Sequence, residues 1–89
     1  MGRSHMDLYP YNALSLSKRA EHLWSKGDFI AVCRRKEPYV LYYMINDFFV
    51  ELEYDQGRVQ ILGLTAFRTG ERYERMLNAL QLDVAVDPT

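Results

Sequence analysis

Cysteine is nearly missing from this chain: Cys33 stands alone. An internal disulfide is therefore excluded, and a zinc site built on thiolates lacks its ligands. A lone cysteine ordinarily packs as a small apolar side chain. Histidine is as scarce. His5 belongs to a leading stretch, Met1-Gly2-Arg3-Ser4-His5, that reads as an expression-tag scar ahead of a start at Met6. That leaves His22, in an expected helix and at the margin of its apolar stripe. One histidine, with no second histidine or cysteine near it in sequence, is a poor basis for catalysis or metal binding.

Glycine-rich phosphate loops are lacking as well, because Gly57, Gly63 and Gly70 are isolated. No apolar run approaches the roughly 18 residues that a membrane helix needs. No secretory signal pattern follows Met6, so a cytoplasmic protein with a reduced thiol is expected. Nor is there an excess of one charge. With 11 basic and 12 acidic residues the net charge is −1, which gives no global attraction to nucleic acid or anionic membrane. Linkers, repeats and low-complexity tracts are absent. The 89 residues suffice for one domain, taken as residues 6–89.

What is present suits a packed core: 48% of residues are hydrophobic, too many for a disordered chain. Residues 7–11 form an aromatic, proline-containing lead-in. Leu16, Ala20, Leu23 and Trp24 then share one helical face, with Asn12 or Ser15 placed to cap it. Gly27 is placed to end that helix in the left-handed conformation. From residue 28 the pattern becomes β. Residues 29–35, 39–45, 48–54 and 58–66 are rich in β-branched and aromatic types, separated by Lys36-Glu37, Asn46-Asp47 and Gln56-Gly57. Thr69 heads a final helix with Tyr73, Met76, Leu77 and Leu80 on one face, and residues 83–89 are expected as a loose tail.

Two-residue turns at all three hairpins set the register. Tyr39, Leu41, Tyr43 and Ile45 then oppose Tyr54, Leu52, Val50 and Phe48. Ile30 opposes Tyr43, Val32 opposes Leu41, and Val59, Ile61 and Gly63 oppose Tyr54, Leu52 and Val50. All of these point to one face. The other face carries Phe29, Met44, Phe49 and Leu64 in a row, then Ala31, Tyr42, Glu51 and Leu62, and grades towards charge beyond them. The expected fold class is α+β: a two-layer sandwich in the order α-β-β-β-β-α, a four-stranded antiparallel meander with two helices on one face. The rival arrangement puts one helix on each face and leaves no large patch.

A row of large apolar side chains on an outer face marks a partner surface. Phe29, Met44, Phe49, Leu64, Tyr42 and Leu62 are therefore the candidate interface residues of a homodimer, or of docking to another protein. Arg34, Arg35 and Lys36 support an alternative, single-stranded nucleic-acid binding, since cations beside aromatics suit that task. Tyr39 and Tyr43 face inward in this register, and Glu37, Glu51 and Glu53 dilute the positive field, so nucleic acid ranks second. Glu51 and Glu53 lie two residues apart on one strand face. They are read as keeping that end of the sheet hydrated, or as partners for an arginine, ahead of an acid–base pair. Half of the aromatics fall between residues 39 and 54, mainly as core. A ligand pocket lined by tyrosines ranks third. No catalytic residue, metal ligand or cofactor is assigned.

Overall fold

The computed structural model describes residues 7–35 and 37–86, with side chains through Gln81. Helices α1 (Leu8–Ala13) and α2 (Leu16–Lys26) precede strands β1 (Asp28–Cys33), β2 (Tyr39–Ile45), β3 (Phe48–Asp55) and β4 (Gln60–Phe67), and helix α3 (Glu71–Val86) follows. The strands form one open antiparallel sheet in the order β1-β2-β3-β4. The α+β class and the meander are thus as the sequence implies.

The lead-in is in fact a helix. Leu8 and Tyr11, three residues apart, are buried on one side of α1 while Tyr9 faces solvent. Pro10 is tolerated because the amides of a helix's first turn have no partner inside the helix. The Asn12 side chain then does what a neighbouring strand would do. Its Nδ2 donates to the Ala66 carbonyl at 3.0 Å, and its Oδ1 accepts from the Ala66 amide at 2.8 Å. This pair ties α1 to β4.

Ser15 opens α2, its side chain accepting from the Lys18 amide. Gly27 does end the helix, but not in a left-handed conformation: its φ is −82°. The need for glycine there is steric. A Cβ at Gly27 would lie 2.7 Å from both the Leu23 side chain and the Leu23 carbonyl. A left-handed glycine does occur at Gly70, φ +94°, on the way into α3. Glu71 and Glu74 in the first turn of α3 complement the helix dipole. The helix continues to Val86, so much of the expected tail is helical, and residues 87–89 lie outside those described.

Register holds where the turn is tight. β2 and β3 pair from Tyr39–Tyr54 to Ile45–Phe48 as expected, around Asn46, whose φ of +52° asparagine tolerates. The other two hairpins differ. The loop between β3 and β4 is longer, because the Asp55 carboxylate accepts from the Arg58 amide at 3.2 Å and holds a wider turn. Tyr54 therefore pairs with Ile61. After a bulge at Leu62, Leu52 pairs with Leu64 and Val50 with Ala66. In β1 the expected register holds from Cys33 to Ala31, with Val32 opposite Leu41, but a bulge at Ile30 then leaves Phe29, not Ile30, opposite Tyr43.

The helices divide between the faces, which corrects the expectation of two helices on one side. α1 and α2 cover Ile45, Phe48, Val50, Leu52, Leu64 and Ala66 on the first face, with Tyr11 and Leu23 at the centre of that core. α3 covers the second, where Met76 and Ala79 pack on Ala31, Tyr42 and Phe67. The physical reason is competition for area. α1, unrecognised in the sequence, already occupies β4 on the first face, and the second face offers α3 an apolar bed with a buried carboxylate to pair.

Two expectations about stability follow. Leu52 is buried under the first helix layer, so Leu52→Ala should cost about 2–5 kcal/mol in urea unfolding. Tyr11, whose hydroxyl donates to the Arg19 carbonyl at 2.7 Å, has its phenol pushed up from 10.0 to about 12 by burial, opposed by the Arg19 charge. The folded state thus favours the protonated phenol. This contribution is complete below pH 10 and is lost as pH rises from 10 towards 12, about 2–3 kcal/mol in all. Tyr11→Phe should lose about 1 kcal/mol at neutral pH and show a shallower alkaline decline in denaturation measured from pH 9 to 12.

Candidate functional site

The six candidate interface residues do not form one surface. Leu64, 1% exposed, lies in the first-face core, turned there by the bulge at Leu62. Tyr42, 2% exposed, lies on the second face beneath α3. Phe49 is half-buried on that face, its ring 5.8 Å from Tyr73 of α3 and 5.7 Å from Phe67. Phe49 is thus not the centre of an open patch, because α3 of its own chain already packs against it. Leu62 is exposed on the β4 edge, and Met44 is partly exposed in β2. Phe29 is exposed as well, but it shares the first face with Tyr43.

Phe29 leads instead to a surface that the sequence placed in the core. α1 and α2 lie mainly over β4 and the end of β2, so the first face of β1 and its neighbour is only partly covered. Trp24 is 59% exposed and Phe29 56%. Both rings meet Tyr43 edge-on, at 6.3 Å and 76° for Trp24 and at 5.7 Å and 75° for Phe29. Val32 and Leu41, paired across β1 and β2, are half-buried beside them. Burial raises the Tyr43 phenol pKa, so the cluster has an apolar interior although its rim is wet. One signal in the sequence pointed this way. Leu23 and Trp24 are adjacent, about 100° apart around a helix, so only one of them can point straight at the sheet. Leu23 does, and Trp24 lies at the margin.

The second face contains the one buried charged side chain among the described residues. Glu51 is 5% exposed. Its carboxylate accepts from the Tyr42 hydroxyl at 2.9 Å, from Arg72 Nε at 3.0 Å and from an Arg75 guanidinium nitrogen at 3.3 Å. Burial and the bond to Glu51 raise the Tyr42 phenol pKa, keeping that hydroxyl a donor. Burial works against the Arg75 charge, but Glu51 outweighs it and raises the Arg75 pKa. Glu53 is exposed. The two carboxylates therefore sit in unlike settings. With three donors directed at it, Glu51 anchors α3 to the sheet.

Arg34 and Arg35 are exposed just beyond β1, and Lys36 lies outside the described residues. His22 is half-buried beside Tyr11, ring centroids 5.8 Å apart, with its Nε2 enclosed and unpartnered. Cys33 is a half-buried free thiol against the α3 layer. Among the described residues no group of His, Cys, Asp and Glu could hold a metal ion, and no helix is long and apolar enough to cross a membrane. No family model, curated protein or solved structure matches this chain. Its function is therefore argued from its own geometry.

Glu51→Ala removes the shared acceptor of Tyr42, Arg72 and Arg75. A stability loss of about 2–3 kcal/mol is expected, since hydrogen bonds to a charged group carry that order and the half-exposed arginines can rehydrate. Urea denaturation at pH 7 measures it, and a loss below ~0.5 kcal/mol would mean that packing alone holds α3.

Proposed function

We propose that this domain is a non-catalytic protein-association module that binds another polypeptide through the open half of its sheet, centred on Trp24, Phe29 and Tyr43. The observation that supports this most is the exposure of Trp24 and Phe29, both edge-on to one tyrosine. Desolvating two such rings on a small domain is a strong driving force for association, and tryptophan and tyrosine are the residue types that dominate binding energy at interfaces. Isolated apolar residues on a surface are ordinary; contiguous aromatic ones are not. The engagement of Glu51 by three donors supports the absence of acid–base chemistry there. The cytoplasm is the compartment proposed, since it keeps a free thiol such as Cys33 reduced.

A photo-crosslinking side chain tests the surface without knowing its occupant. With p-benzoylphenylalanine in place of Phe29, irradiation in the native cell should give a polypeptide adduct. The same group at Glu74, exposed on the first turn of α3, should give none. Occupation should also shift the emission of Trp24, the one tryptophan in the chain, to shorter wavelength. Equal labelling at both positions would overturn the proposal. So would salt-sensitive oligonucleotide binding that Arg34→Ala with Arg35→Ala abolishes, which would favour a single-stranded nucleic-acid module instead.

A further inference from the structure

We infer that a second copy of the chain joins at the sheet edge where this surface ends, β1 to β1 antiparallel across a two-fold axis. This rests on the association reading above, extends it from the open face to the adjoining edge, and names the partner there. The sheet has two edges, and the chain treats them differently. At β4 the Asn12 amide occupies both backbone groups of Ala66, and α1 lies alongside. At β1, α3 packs on the second face, but among the described residues no backbone hydrogen bond reaches the outer side of the strand. An unpaired edge is a template for another strand unless something blocks it.

Charge selects a second copy as that strand. Asp28 opens β1, and Arg34 and Arg35 follow its last residue, Cys33. All three are exposed, and none has an ion-pair partner among the described residues. An antiparallel two-fold pairing brings the acidic end of each strand to the basic end of the other, so the match occurs twice. A parallel pairing would set like charges together.

The bulge at Ile30 makes the register workable. About the strand midpoint, between Ile30 and Ala31, Phe29 opposes Val32 of the second copy, Ile30 opposes Ala31, and Asp28 opposes Cys33. In a regular strand, residues three apart point to opposite faces, so Phe29 could not meet Val32. Here both share the first face, because Phe29 pairs with Tyr43 and Val32 with Leu41, while Ile30 and Ala31 both pack in the α3 layer. Bulges commonly blunt an edge; this one brings the apolar residues of two copies into phase. The open half-faces then join into one surface flanked by the two α2 helices, with Phe29 beside Val32 at the seam.

The test is a charge exchange. Sedimentation velocity of the wild-type chain over a dilution series should show a concentration-dependent dimer. Asp28→Lys alone, and Arg34→Glu with Arg35→Glu alone, should each weaken self-association by about tenfold or more, since like charges then meet twice. Mixing the two variants should restore a dimer with one chain of each kind. All substituted positions are exposed, and circular dichroism confirms that each variant is folded. Wild-type association unaffected by either change, or a mixture that stays monomeric, overturns the inference. A wild-type chain that is monomeric throughout also overturns it; the adduct at position 29 then still decides whether another protein binds there.

Discussion

The Asn12 side chain donates one hydrogen bond to the Ala66 backbone and accepts one from it, across 54 positions of sequence. Both bonds end on a strand edge that would otherwise need water or a neighbour. With them α1 is held at β4, and Tyr11 and Leu8 are set into the first-face core. Arg68 adds a link at the surface, bonding Asp7 at 2.9 Å and Asp47 at 3.2 Å, so the start of α1 is also tied to the turn between β2 and β3. Once this segment takes up the area over β4, α3 has to lie elsewhere.

The second face is built to receive it. Ala31, Tyr42 and Phe67 supply an apolar bed, and Tyr73, Met76, Ala79 and Leu80 of α3 lie on it. Burial of apolar area drives the contact. Glu51 decides where on the bed the helix sits, because a buried carboxylate is costly unless donors reach it. Arg72 and Arg75, three residues apart on one side of α3, reach it together while their outer atoms stay in water. The same burial that makes Glu51 useful as an anchor commits its carboxylate to three donors.

Helix placement also determines what is left open. With α1 and α2 gathered towards β4, the aromatic first face of β1 and β2 keeps part of its surface in solvent. Trp24 stands at the rim of the helix layer and Phe29 at the edge of the sheet. The capped β4 edge and the uncapped β1 edge follow from the same asymmetry. An exposed aromatic surface thus arises from the way a small number of helices divides a sheet that is apolar on both sides.

Local patterns in the sequence determined the four strands, the meander, α2, α3 and the full register of β2 with β3. These depend on side-chain alternation and on a tight Asn46-Asp47 turn, signals carried within a few residues. They did not extend to α1, whose lone proline and short length hide its period, or to the bulges at Ile30 and Leu62. Those two bulges put Phe29 and Leu64 on the first face and so dissolved the expected interface row. Only tertiary structure decided the face of each helix, the partners of Glu51, and whether Trp24 or Phe49 met solvent. The reason is physical. Helices compete for the same sheet area, and the outcome turns on contacts between residues far apart in the chain, such as Asn12 with Ala66 and Glu51 with Arg72, which no local pattern encodes.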